Sequence, residues 1–558
     1  MATTKRHVTW YERLAYLRRG PRIAEGWTEL SNRPRAWEDL YRSRWQHDRI
    51  VRSTHGVNCT GSCSWQVYVK DGIITWETQQ TDYPSLGRDF PEYEPRGCPR
   101  GATFSWYTYS PMRVKYPYVR GELLAMWREE RRAGRDPVAA WASIVRHPER
   151  RATYVRARGK GGLARASWAE VSELIAAATI HTIKTYGPDR LVGFSPIPAM
   201  SQVSYASGAR FLSLLGGTML SFYDWYADLP PASPQIWGEQ TDVPESADWY
   251  NAKYFIIWGT NLPMTRTPDA HFMVEARYNG TKVVGVSPDY AEYDKFADLW
   301  LPAKAGTDAA LALAMTHVVL KEFFVERETP YFGDYVRRFT DLPFLVTLNK
   351  RGDTWTPDHL LNAADLGMDA SQAEWKPLLW DTRRDGPAIP KGTLGHRWDG
   401  AGQWRLALED DAGESLAPAL TLYESPDNMP GEAATVEFPY FGGQQAETVR
   451  RGVPIRRVRG HDGQEIAVTT VFDLMLAHCG VARAGLPGDY PVDYDDPKPY
   501  TPAWQEGITG VKRHLAIQVA REFADNAART QGKSMIALGA GTNHWYHSDM
   551  IYRCIINL

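Results

Sequence analysis

Hydrophobic and polar positions change their period several times along the chain. Val67-Tyr-Val-Lys-Asp71-Gly72-Ile-Ile-Thr-Trp76 alternates about an Asp-Gly pair, which predicts two strands joined by a type I′ turn. Ser167-Trp-Ala-Glu170 has the form of a capping box and opens an apolar-periodic helix to about Tyr186. Leu191-Val-Gly-Phe-Ser then reads as a short buried strand ending at Pro196-Ile-Pro198. Tyr254-Phe-Ile-Ile-Trp-Gly259 and Lys282-Val-Val-Gly-Val-Ser287 are two more strands, each running into a polar loop. Thr307-Asp308 is expected to cap a helix with Leu311, Met315, Val318, Val319 and Phe323 on one face.

Residues 345–470 break this rhythm with Asp, Gly and Pro clusters and read as a large insertion. Regular signals return with a helix around Val511–Arg529 and the strand Ser534-Met-Ile-Ala-Leu-Gly539, which ends in Ala540-Gly541-Thr-Asn543-His544. Strands that feed loops and then helices predict a doubly wound parallel α/β sheet.

A length of 558 residues exceeds what one core serves, so several domains are expected. Lys and Arg number 64 against 66 Asp and Glu, a net charge of −2 that gives no nucleic-acid footprint. Five cysteines in this length make no disulfide framework and point to a reducing compartment. No apolar run is long enough to span a bilayer. Arg18-Arg19 is followed by Gly20-Pro-Arg-Ile-Ala-Glu-Gly rather than an apolar stretch, so no cleavable export signal is expected. The 22 tryptophans suggest rigid aromatic packing around buried sites or interfaces.

The chemistry concentrates in His55-Gly-Val-Asn-Cys59-Thr-Gly-Ser-Cys63 and the later Cys98-Pro-Arg100-Gly101. Any one of these residues alone reads as an ordinary core thiol or a satisfied histidine. One imidazole and three thiols in Gly/Ser/Asn-rich loops form a soft ligand set for zinc or an iron–sulfur cluster. Structural zinc sites return with a second close pair, whereas here three close ligands precede one remote cysteine. That order favours a [4Fe-4S] cluster and leaves zinc second. Cys479 and Cys554 lie in apolar contexts and read as buried structural thiols.

Three loops, Gly259-Thr-Asn261, Ser287-Pro-Asp289 and Gly306-Thr-Asp308, sit where a parallel sheet binds ligands. Glycine lets a backbone approach a pyrophosphate, and a helix N-terminus favours its charge. None is a G-x-G-x-x-G or a Walker loop, so a plain turn or cap remains an alternative for each. Asp224 stands among four aromatics in Phe222-Tyr-Asp-Trp-Tyr226, a setting that calls for a metal ion or a buried hydrogen bond.

Taken together, Arg52-Ser-Thr-His55 through Cys63-Ser-Trp65, Trp76-Glu-Thr-Gln-Gln-Thr-Asp-Tyr83, Glu94-Pro-Arg-Gly-Cys98-Pro-Arg100-Gly101 and Tyr223-Asp224-Trp-Tyr226 resemble a known pattern. The chain is similar, from about Trp37 to its last residue, to catalytic (alpha) subunits of respiratory membrane-bound nitrate reductases in the dimethyl sulfoxide reductase superfamily. The resemblance implies that His55, Cys59, Cys63 and Cys98 ligate a [4Fe-4S] cluster, that Arg100 lies between cluster and pterin, and that Asp224 ligates molybdenum. It implies molybdenum bis(molybdopterin guanine dinucleotide), with loops around Asn58, Asn261, Ser287, Asp289, Thr307, Asp308, Asn543 and His544 holding its parts. It also implies reduction of nitrate to nitrite by oxygen-atom transfer, with electrons from quinol. The partners would be an iron–sulfur beta subunit, a membrane haem b gamma subunit and a dedicated assembly chaperone. The place would be the cytoplasmic side of the cell membrane, reached through those subunits. A related enzyme acting on nitrite, selenate or chlorate, or an inactive fragment, is the alternative.

The expected fold is α/β: a β-rich iron–sulfur N-terminal domain, then discontinuous doubly wound parallel-sheet domains, with the family's C-terminal β domain absent. The expected division is an extended arm (1–50), the [4Fe-4S] domain (51–165) and a first α/β domain in two parts (166–222 and a truncated 481–558). A second, dinucleotide-binding α/β domain (223–345) and the insertion (346–480) fall between those parts.

Overall fold

The computed structural model describes residues 19–24, 27–30, 46–54, 63–93, 97–194, 202–220, 232–238, 245–290, 292–396, 407–424, 432–441 and 446–558. They form two compact units, Met1–Tyr226 with Thr265–Ala270, and Ala227–Met264 with His271–Leu558.

In the first unit, β1 (Arg19–Ala24) and β2 (Trp27–Leu30) pair antiparallel, so part of the expected extended arm is a hairpin. Strands β3 (Arg49–Ser53), β4 (Trp65–Lys70) and β5 (Ile73–Gln79) form an antiparallel sheet in that order. Lys70 pairs with Ile73, and Asp71 and Gly72 between them take φ of 51° and 78°. Two left-handed residues in a two-residue loop are the expected type I′ turn. Two short helices follow, α1 (Pro99–Ala102) and α2 (Phe104–Tyr109).

Farther along the first unit, β6 (Tyr118–Arg120) and β7 (Leu163–Arg165) pair antiparallel. Between them run α3 (Gly121–Arg132), α4 (Pro137–Arg146) and α5 (Pro148–Arg156). The next helix, α6 (Trp168–Tyr186), begins as expected, with Ser167 Oγ accepting the Glu170 N–H at 3.1 Å. The capping box is only half formed, because the Glu170 carboxylate instead receives both guanidinium bonds of Arg128, at 2.7 and 2.8 Å. Leu124, Trp127, Ala140 and Ile144 share one core with Leu174 and Ala177 of α6. The expected boundary at residue 165 therefore cuts through a common core. Strand β8 (Val192–Phe194) pairs parallel with β9 (Thr218–Leu220), with α7 (Gln202–Leu215) between them. Val192 and Phe194 are exposed rather than buried, because β9 is the one strand that pairs with β8 among the described residues.

The second unit is built on a four-stranded sheet ordered β12 (Leu299–Leu301), β11 (Lys282–Val286), β10 (Tyr254–Trp258) and β21 (Ser534–Leu538). Every pairing in it is parallel. All five residues of β10 are buried, as the continuous apolar run Tyr-Phe-Ile-Ile-Trp requires of an inner parallel strand. Helix α8 (Ala270–Tyr278) connects β10 to β11. After β12 comes α9 (Asp308–Leu320), which is buried on nearly every side rather than on the one face expected. Its apolar surroundings include α11 (Pro502–Thr509), α12 (Arg513–Thr530) and α13 (Ser548–Asn557), which enclose it.

The last segment departs from the expected division. Strand β21 pairs in register with the whole of β10, and Val519, Ile551 and Ile555 share a core with Trp258, Leu311 and Met315. Residues 513–558 thus complete the sheet begun at 254, not the one begun at 192.

Between α9 and α11, strands β13 (Leu345–Arg351), β14 (Thr354–Leu360), β17 (Ala433–Phe441), β18 (Ala446–Pro454), β19 (Arg456–Arg459) and β20 (Glu465–Thr470) form a six-stranded, mostly antiparallel sheet. A small ribbon of β15 (Leu379–Asp381) and β16 (Gly386–Ala388) lies within this stretch, and α10 (Val471–His478) closes it. No helix among the described residues is long and apolar enough to cross a membrane.

Candidate functional site

Two of the four candidate cluster ligands lie in described parts of the first unit. Cys63 is buried, 5% exposed, two residues before β4 begins. Ser53 pairs with Trp65, so the chain leaves β3 and enters β4 at the same end of the sheet. Cys98 is half-buried and directly precedes α1. A Cβ on the neighbouring Gly97 would lie 2.7 Å from the Trp65 ring, so the Cys98 segment is laid against the strand that Cys63 leads into. Cys63 and Cys98 thus each lie within two residues of that contact. His55, Asn58, Cys59 and Asp224 lie outside the described residues. Among the described residues no group of three His, Cys, Asp or Glu could hold a metal. Arg100 is exposed on α1.

Cys479 and Cys554 belong to the second unit, where Cys479 is buried and Cys554 half-buried. Desolvation pushes the Cys479 thiol up to about 12 and the Cys554 thiol up to about 11. Both stay protonated at neutral pH, as the reading of structural thiols expects.

The strand-end loops of the second unit converge. Asn261 follows β10, Ser287 and Asp289 follow β11, Thr307 and Asp308 follow β12, and Asn543 and His544 follow β21. These four strands are adjacent and parallel, so all seven residues gather along one sheet edge, at its carboxyl end. Glycines set the spacing. Gly259 has φ +63°, and its added Cβ would lie 2.8 Å from Thr542 Cγ2. A Cβ on Gly541 would lie 2.6 Å from the Gly259 carbonyl oxygen, which accepts the Gly541 N–H at 2.9 Å. Gly306, at φ +77°, lies under the Trp545 ring, 3.1 Å from an added Cβ. These close approaches pack the loops after β10, β12 and β21 against one another, with the N-terminus of α9 beside them, where a helix dipole favours an anion.

Side chains at this edge divide by direction. Ser287 is buried, and its Oγ donates to the Asp289 carbonyl oxygen at 2.6 Å and lies 3.2 Å from Asp294 Oδ2. Asp308 is also buried, and accepts the Trp258 indole N–H at 2.8 Å. Burial raises its pKa above the ordinary 3.8, against the lowering effect of the Trp258 bond. The expected side-chain cap at Thr307 is absent, and its Oγ1 instead donates to the Lys304 carbonyl at 2.6 Å. Asn261 reaches Glu292 at 2.5 Å, and that bond lowers the Glu292 pKa. Asp289 and His544 are exposed, and Asn543 is buried at 2%.

Trp258, Glu292, Asp294 and Trp545 join this edge without having been singled out from sequence. The last residue of an all-apolar strand gives Trp258 one local signal, while the other three depend on folding.

Comparisons with known proteins place these features in context. The family profile described as "Molybdopterin oxidoreductase" matches residues 113–558, and that described as "Respiratory nitrate reductase alpha N-terminal" matches residues 10–45. The nitrate reductase alpha chain of Bacillus subtilis is 56% identical over 95% of this chain and 43% of its own length. A nitrate reductase alpha subunit of Mycobacterium tuberculosis is 60% identical over 93% of this chain and 42% of its own. The respiratory nitrate reductase 1 alpha chain of Escherichia coli is 56% identical over 98% of this chain and 45% of its own. The chain thus spans less than half the length of these relatives. Among solved structures, acetylene hydratase from Pelobacter acetylenicus aligns over 48% of this chain and 32% of its own, at 23% identity and a TM-score of 0.31, too low to bear on the fold.

Proposed function

Because the chain belongs to the molybdopterin oxidoreductase family, we propose that it works as the catalytic part of a nitrate reductase, taking nitrate to nitrite by oxygen-atom transfer. The observation that carries this reading is identity of 56–60% to nitrate reductase alpha chains over more than nine-tenths of its length. The substrate, the electron route and the partners belong to the proposal.

Cys63 and Cys98, with His55 and Cys59, hold a [4Fe-4S] cluster, and Asp224 supplies a carboxylate to molybdenum. The strand-end loops of the second unit receive part of a bis(molybdopterin guanine dinucleotide) cofactor, with Asn58 contributing from the cysteine loop. When bound, these groups supply oxygen-atom transfer and single-electron transfer, chemistry that no side chain provides.

The chain's own residues bind and orient. Gly259, Gly306 and Gly541 let the strand-end loops pack closely at this edge, and the N-terminus of α9 offers its positive dipole end to the phosphate charge. Asn543 and Asn261 offer amide groups at the same edge, and Asp289 offers an acceptor for ribose or base. Asp308 and Ser287 act from behind, fixing the loops through Trp258 and Asp294. Arg100, permanently cationic, stabilises negative charge on the path between cluster and pterin. A neutral imidazole at His55 in place of a thiolate makes the cluster less negative, which raises its potential.

Quinol is the electron source, through an iron–sulfur beta subunit and a membrane haem b gamma subunit that hold the chain at the cytoplasmic face of the membrane. A dedicated chaperone loads the cofactor. The test is anaerobic turnover of the purified enzyme with reduced viologen and nitrate, chlorate or selenate in parallel. Nitrite formation with the highest kcat/KM for nitrate supports the reading, and preference for another oxyanion replaces it.

A further inference from the structure

Glu77 belongs to the sequence block Trp76–Tyr83 that none of the proposed roles uses. It is buried in β5, 6% exposed. Its Oε1 accepts the Ser105 N–H at 2.5 Å and its Oε2 the Ser105 hydroxyl at 2.8 Å. No Lys, Arg or His pairs with it among the described residues. Removing a carboxylate from water without a counter-ion is costly, and a residue placed there only for stability would be apolar.

What Glu77 grips explains its position. Ser105 is the second residue of α2, and the stretch from Cys98 to Ser105 is internally braced. The Ala102 N–H donates to the Cys98 carbonyl at 3.1 Å, Thr103 Oγ1 to the Pro99 carbonyl at 2.7 Å, and the Trp106 N–H to the Thr103 carbonyl at 3.0 Å. This block carries both Cys98 and Arg100. Its front end rests on Trp65 through Gly97, and its back end is tied to Glu77 through Ser105. The two anchors stand on β4 and β5, paired strands of one sheet, and Cys63 lies two residues before Trp65. A shallow groove open to solvent lies beside them, lined in part by Trp65, Glu77, Gln79 and Ala102.

We infer that Glu77 is a positioning residue for the iron–sulfur cluster, holding the Cys98–Arg100 block at a fixed place on the sheet that leads back to Cys63. The inference rests on the proposed reading that Cys63 and Cys98 are cluster ligands. Glu77→Ala removes both bonds to Ser105. Glu77→Gln restores them without charge, its carbonyl oxygen accepting the Ser105 N–H and its amide donating to the Ser105 hydroxyl.

The experiment loads the 558-residue chain with ferrous iron and sulfide under anaerobic conditions. Iron per chain, the paramagnetic spectrum of the reduced cluster and its rate of loss to a chelator are then measured. Glu77→Ala is expected to lose the cluster faster by on the order of 10-fold and to broaden its spectrum, while Glu77→Gln stays near the parent. Ser105→Ala, which removes the hydroxyl that Glu77 accepts from, is expected to give part of the same loss and serves as the test if Glu77→Ala does not fold. A parent that binds no iron overturns the cluster reading and this inference with it. A parent that binds iron, with Glu77→Ala matching it in spectrum and rate, overturns the inference alone.

Discussion

The Trp258 indole N–H donates to Asp308 Oδ1 at 2.8 Å, joining the last residue of β10 to the first residue of α9, fifty positions later. Two of the strand-end loops are thereby fixed to each other from inside the sheet. Burial of the Asp308 carboxyl costs stability at neutral pH, because desolvation holds its pKa above the ordinary 3.8 and the Trp258 bond offsets that only in part.

A pH dependence follows from the direction of that shift. An acid whose folded pKa is raised contributes stability below its unfolded pKa and loses it as pH rises through the folded value. Asp308→Asn keeps an acceptor for Trp258 and removes the titration. Tm of the variant minus that of the parent is expected to become more positive between pH 4 and pH 8. A difference that stays flat over this range contradicts the assignment.

Crowding of the glycines gives a second expectation. Gly541→Ala drives a methyl against the Gly259 carbonyl oxygen, 2.6 Å from the added Cβ, which forces the β10 and β21 loops apart. A loss of about 1–3 kcal/mol in unfolding free energy is expected, together with less nucleotide released by acid from the loaded enzyme. Gly507→Ala, with nothing within 4 Å of an added Cβ and no left-handed backbone, controls for the glycine-to-alanine change itself. Equal effects of the two changes contradict the cradle.

Thiol chemistry separates the two kinds of cysteine. With thiol pKa values of about 12 and about 11, Cys479 and Cys554 are expected to resist alkylation by iodoacetamide at pH 8 until denaturant is added. Peptide mapping reads this directly. Modification of either residue in the native chain contradicts the reading that they are inert core groups.

What sequence made legible depended on the range of the interaction. The Asp71-Gly72 turn and the start of α6 at Ser167 are local events, set by residues two or three apart, and both stand as expected. The loops at Asn261, Ser287, Asp308 and Asn543 were legible as strand ends, and parallel pairing brings them to one edge. Which strand joins which was not legible, because β21 pairs with β10 across 280 positions and nothing near residue 534 specifies its neighbour. Side-chain direction escaped for the same reason. Asp308 turns inward because Trp258 waits there, and that pairing forms only when the sheet does. The expected roles of His55, Asn58, Cys59 and Asp224 fall outside the described residues and remain with the proposal.

The most direct test of the central claim is nitrite formation by the complete, cofactor-loaded enzyme carrying Asp224→Ala, with its iron–sulfur signal recorded on the same sample. The account predicts that nitrate reduction is abolished while the cluster signal is unchanged. Normal nitrite formation by that variant would contradict it.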